Sequence, residues 1–98
     1  MRYNEVMILS FRHKGLEALY RTDSAKGVRP DHADKLRRIL GVLDVAQGLD
    51  DMDVPGFKLH PLKHNRAGEW AVAVKNNWRV TFKPVGSDVE LLDYEDYH

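Results

Sequence analysis

Not one of the 98 residues is a cysteine, which removes disulfides, thiolate zinc sites and a thiol nucleophile from consideration. Long apolar runs are missing too. Nothing approaches the roughly 20 residues of a membrane-spanning helix, and the opening "MRYNEVMILSF" has no secretory apolar stretch. The chain is therefore expected in the cytoplasm, without membrane contact. The signatures G-x-x-x-x-G-K, G-x-G-x-x-G, G-x-S-x-G and H-E-x-x-H are absent, so phosphate loops, dinucleotide folds, serine hydrolases and zincins lack support. The length suits a single domain over residues 1–98 and leaves no room for a cofactor domain.

Net charge is also absent, 15 bases balancing 15 acids, but the balance is not local. From Phe57 to Lys83 six bases face one acid, Glu69, for a net of +5, and from Pro84 to His98 there are five acids and no base, a net of −5. A polyanion would find in the first stretch a basic patch that the total conceals.

What is present reads as a small α+β domain. Val6 to Phe11 is a short apolar run fit for a first strand. Leu16, Leu19 and Tyr20 take helical spacing between His13 and Arg21. A second helix opens at Pro30, carries Asp31 and Asp34 near its positive end, buries Ala33, Leu36, Ile39, Leu40, Leu43 and Ala46, and stops at Gly48. The period then changes from 3.6 to 2. Trp70, Val72 and Val74 alternate with small residues; Trp78, Val80 and Phe82 alternate with Arg79, Thr81 and Lys83. Lys75 to Asn77 is the turn between those strands. "VGSD" leads into a last strand, Val89 to Tyr94, and "FKLH" supplies a short extra strand before Pro61. The order β-α-α-β-β-β predicts two helices on one face of a mostly antiparallel sheet. Alternation then puts Lys58, His60, Arg79 and Lys83 on the face away from the helices, a candidate phosphate-binding surface.

Several residues on that face could do chemistry. Pro61 restricts His60 to extended geometry, and nearby cations would favour its neutral, proton-accepting form; hydrogen bonding at a strand end is the plainer role. His60 and His64 have the spacing of a helical metal pair, but Pro61 argues against a helix and no suitably spaced carboxylate follows, so no metal is expected. Arg79 reads as a phosphate clamp or as a strand residue paired to Glu90 or Asp93. Trp70 and Trp78 belong to the core, while His13, His32, Arg37 and Arg38 are expected on solvated surfaces. The last three residues, Asp96, Tyr97 and His98, form either a solvated tail or the purpose of the strand before them.

Taken together, "FKLHPLKHNRAGEWAVAVKNNWRVTF" and "LLDYEDYH" resemble the HigB-type toxins of host-inhibition toxin–antitoxin systems, a branch of the RelE superfamily. The likeness extends through "MILSFRHKGLEALY" and "DHADKLRRIL", from Met7 onward, with residues 1–6 as a dispensable extension. The combination of L-H-P-L-K, N-W-R and a terminal D-Y-H is specific, though none of the three is so alone.

The resemblance implies a RelE-like fold and a metal-independent, cofactor-free endoribonuclease that enters the ribosomal decoding site, meets ribosomal RNA there and cuts messenger RNA. It further implies a HigA-type antitoxin with a helix-turn-helix, through which alone the toxin reaches operator DNA. His60, Lys63, Asp96, Tyr97 and His98 would form the catalytic group. Arg79 would contact the phosphate, with Lys58 and Lys83 as further substrate-binding cations, and the last strand would deliver its final residues to the open basic face. The rival reading is a binding module of the same fold, active only with its antitoxin in repressing their operon.

Overall fold

The computed structural model describes residues 6–97. Four strands form one antiparallel sheet in chain order: β1 His60–Pro61, β2 Trp70–Lys75, β3 Trp78–Val85 and β4 Asp88–Asp96. Two helices, α1 Lys14–Thr22 and α2 Ala33–Val45, cover one face, giving the expected α+β arrangement. Among the described residues no helix is long and apolar enough to cross a membrane.

The core sits where the two periods predict. Leu16 and Leu19 of α1 and Leu36, Ile39, Leu40 and Leu43 of α2 meet Val72, Val74, Val80, Phe82, Val89 and Leu92 of the sheet, so apolar stripe meets apolar face. Phe57 enters from the loop and is fully buried. Pro30 opens a short 3-10 turn, Pro30–His32, that runs into α2. Val45 ends α2 and Ala46 caps it in extended backbone, two residues ahead of the stop expected at Gly48. Helix α1 starts on an uncommon cap: the His13 Nδ1 accepts the Leu16 N–H at 3.0 Å.

Three features depart from the sequence reading. The first strand survives as two isolated parallel bridges to β4, Ile8 to Val89 and Phe11 to Leu92. Between them β4 carries an extra residue: Thr81 faces Asp93, but Lys83, two residues on, faces Glu90. Leu91 lies in that interval with a left-handed φ of 59°, and its N–H goes to the Ser10 hydroxyl at 3.0 Å. The bulge interrupts regular pairing with the incoming chain and changes which face each later residue takes.

The second departure is the "FKLH" strand, which is only His60–Pro61 long; proline lacks the N–H that a longer ladder needs and ends up on the sheet edge. The third is His32, expected on the surface but 2% exposed, its Nδ1 2.6 Å from the Tyr94 hydroxyl and its ring edge-on to Trp78. Burial holds its imidazole below the ordinary pKa, against the opposing pull of Asp31. Of the expected N-terminal extension, residues 1–5 lie outside the described residues, while Val6 is buried and donates its N–H to the Ala46 carbonyl at 2.6 Å.

Candidate functional site

The sheet face turned away from the helices carries a connected set of charges. Register puts Arg79 of β3 directly opposite Glu95 of β4, and their side chains approach to 3.6 Å. Arg66, from the short 3-10 turn His64–Arg66, lies across the sheet to reach Glu95 at 2.8 Å, Glu69 at 2.9 Å and the Thr81 hydroxyl at 3.4 Å. Arg12 approaches Glu69 from the N-terminal segment at 3.5 Å. Hydrogen bonds from Arg66 hold the Glu69 carboxyl below its usual range, and Glu69 and Glu95 in turn raise the Arg66 guanidinium further above its own.

This explains the hidden charge asymmetry. Antiparallel pairing lays the acidic β4 alongside the basic β3, so the +5 and −5 stretches meet edge to edge. Lys83 stands opposite Glu90 as Arg79 does opposite Glu95. The partner of Arg79 is thus Glu95 rather than Glu90 or Asp93, because the bulge at Leu91 shifts the register.

Arg79 is nonetheless more than a strand pair. Its guanidinium lies 4.4 Å from the centre of the Tyr97 ring, a cation–π contact, and its side chain is only 14% exposed. Its Nε is buried and has no hydrogen-bond partner among the described residues. Tyr97 is half exposed above it, tied by its N–H to the Asn77 carbonyl at 3.1 Å.

The expected site residues divide between two sides of the sheet. Tyr97 and Arg79 are together on the outer face. Alternation after the bulge sends Tyr94 and Asp96 to the other side: Tyr94 is buried against Trp78 and His32, and Asp96 lines a polar cleft with Arg29, Asp31, His32, Lys75, Asn76, Asn77 and Trp78. The end of β4 therefore straddles the sheet edge instead of pointing wholly to the open face. His98 lies outside the described residues.

His60 is exposed on β1 with its Nδ1 2.7 Å from the Lys58 carbonyl, which leaves Nε2 as the outward ring nitrogen. Through Ala71 and Thr81 it shares a row with β3, and two strand spacings plus two residues put its Cα roughly 12 Å from that of Arg79. Lys63 and Lys83 are exposed. Lys58 has a left-handed φ of 52° and joins a separate cationic group: with burial and Arg38, it lowers the pKa of Lys35 on α2. Among the described residues no three metal-capable side chains gather at one place. Arg66 and Glu95 were missed as site residues because only the fold brings them together; the alternation of β4 would have flagged Glu95 had the bulge been visible.

Residues 9–98 match the family model described as the RelE-like toxin of the type II toxin–antitoxin system HigB. A Proteus vulgaris protein named "Endoribonuclease HigB" is 40% identical over 92 residues, covering 94% of this chain and 100% of its own length. A match spanning the core, the His60–Arg66 loop and the chain end places this protein in the HigB family of RelE-like toxins of type II toxin–antitoxin systems.

Proposed function

We propose that this chain is an endoribonuclease that cuts messenger RNA on the ribosome and is held inactive by a helix-turn-helix antitoxin of the HigA type. Membership of a type II system implies an antitoxin partner, and the similar Proteus vulgaris protein is named as an endoribonuclease. The observation that carries the reading is the Arg79–Tyr97 pair, a guanidinium on the basic strand lying against an exposed aromatic ring. Such a pair can hold a phosphate while the ring stacks on a base.

RNA cleavage by its own 2′-hydroxyl needs a base for that hydroxyl, positive charge for the pentacovalent phosphorane and an acid for the departing 5′ oxygen. His60 is exposed on β1 with its outward Nε2 available for proton transfer. Lys63 and Arg79 supply charge; Asp96, which the sheet edge sets on the opposite side from Arg79, would reach round that edge to orient an imidazole or act as the base, and His98 is the second proton carrier. Lys58 and Lys83 add attraction for the polyanion. The products are a 2′,3′-cyclic phosphate, or its hydrolysis product, and a 5′-hydroxyl.

Inducing the chain in bacteria should stop growth, and His60→Ala, Lys63→Ala, Asp96→Ala and His98→Ala should each relieve the arrest at equal expression. Loss of one acid–base group typically costs about 10²- to 10⁴-fold in rate. Four variants as toxic as the parent would overturn the assignment and favour a module that acts only with its antitoxin.

A further inference from the structure

One carboxylate on the outer face touches guanidinium groups from two different parts of the chain. The Glu95 Oε1 lies 2.8 Å from Arg66 Nη1, and its Oε2 lies 3.6 Å from Arg79 Nη2. Arg66 ends the short turn that begins immediately after Lys63, four residues beyond His60. Arg79 belongs to the strand pair that ends in Asp96 and Tyr97. We propose that Glu95 is a positioning residue for RNA cleavage, fixing the His60–Lys63 segment relative to the Arg79–Tyr97 pair. The inference rests on the nuclease reading above.

Three observations support it. The bulge at Leu91 decides which face Glu95 occupies, and the extra residue is accommodated by Ser10, which accepts its N–H. Without that bulge, alternation from Val89 would turn Glu95 toward the helices and Asp96 away from them. Next, Arg79 has little else to fix it: besides Glu95 and the Tyr97 ring its Nε lacks a partner among the described residues. A guanidinium that is to meet a phosphate in one orientation needs such an anchor. Finally, a carboxylate on a face that binds a polyanion weakens that binding, so attraction for RNA is not what Glu95 contributes.

The chemistry requires a carboxylate in particular. Both of its oxygens lie close to Arg66 Nη1, at 2.8 and 3.0 Å, Oε1 also accepts the Thr81 hydroxyl at 3.3 Å, and its charge faces Arg79 across an ion pair of 3.6 Å. Glutamine keeps the shape but presents one acceptor and one NH₂ donor and no charge, so Arg66 loses an acceptor and Arg79 loses its ion pair.

The test uses ribosome-bound messenger RNA and the full chain, comparing the parent, Glu95→Gln, Arg79→Ala and the double variant. Cleavage is followed in single turnover, affinity by titration and folding by thermal melting. Positioning predicts effects of opposite sign: Glu95→Gln slows cleavage by about 10- to 100-fold while affinity is unchanged or tighter, because one negative charge has gone. In the Arg79→Ala background the same change should add less than about 3-fold, since the group it positions is missing.

Cleavage within about 3-fold of the parent, loss of affinity in step with rate, or independent multiplication of the two single effects would each overturn the inference. So would a Glu95→Gln chain that no longer melts cooperatively, since that identifies a structural role. Failure of the nuclease reading looks different, because the parent itself would then leave the message intact.

Discussion

Removing Arg66 should be among the most damaging single changes on the polar face. Its side chain is 27% exposed and serves Glu69, 11% exposed, and Glu95, 24% exposed, as well as the fully buried Thr81. Arg66→Ala leaves two carboxylates facing each other's field with their chief counter-charge gone. Removing one partner of a buried pair costs about 3–5 kcal/mol. With roughly a quarter of Arg66 and Glu95 in solvent the loss is screened, and about 2–3 kcal/mol is the reasonable expectation. In a domain of this size that lowers the melting temperature by roughly 10–20 °C near neutral pH. The pH dependence identifies the cause. Hydrogen bonds from Arg66 depress the Glu69 pKa, so the native chain gives up that proton more readily than the unfolded one, and the contribution is full above the unfolded value of about 4.3. It disappears as pH falls through the folded-state value, so the gap between parent and Arg66→Ala should narrow steadily under acid. Thermal melts followed by circular dichroism across that range decide the matter. A variant within about 3 °C of the parent near neutrality, or a gap that stays constant into acid, would refute the reasoning.

Two further outcomes follow from the helical side. His32 is buried with its pKa depressed, so the unfolded chain binds a proton first as pH drops below about 6.5, and stability should decline from there by up to about 1.4 kcal/mol per pH unit; a profile flat over that interval would contradict the burial. Tyr94→Phe removes the hydroxyl 2.6 Å from His32 and should cost about 1–3 kcal/mol in urea denaturation. At the glycines, a Cβ on Gly27 would lie 2.5 Å from the Gly15 Cα and one on Gly15 2.4 Å from the Gly27 carbonyl oxygen, so alanine at either should destabilise by about 1–3 kcal/mol. Gly41, within α2 and facing open space, should instead gain about 0.5–1 kcal/mol on becoming alanine.

Much of the architecture was legible because it is written in periodicity. The stripe of α2, the alternation of Trp78, Val80 and Phe82, and the two hairpin turns all follow from which residues avoid water. The bulge at Leu91 was not legible, since no glycine marks it and a leucine takes the left-handed φ. That one extra residue decides that Glu95 rather than Asp96 takes the open face, so the chain end does not lie wholly on that face as expected. His32 was misread for a related reason. A histidine between Asp31 and Ala33 looks solvated until Tyr94, distant in sequence, supplies its partner. The charge asymmetry of the two halves was visible, but its mutual neutralisation depends on strand register. At the candidate site, His60 and Arg79 were raised by residue type and alternation and Lys63 by the family resemblance, whereas Arg66 and Glu95 come into view only through contacts made across the sheet.

The most direct measurement gives purified protein the same message twice, once free and once in translating ribosomes, and maps the new ends. Free message should stay nearly intact, and ribosome-bound message should be cut to fragments with 2′,3′-cyclic phosphate and 5′-hydroxyl termini. His60→Ala and His98→Ala should each slow that cut by about 10²- to 10⁴-fold. Intact message in both settings, or cutting that proceeds at the parent's rate without either imidazole, would contradict this mechanism.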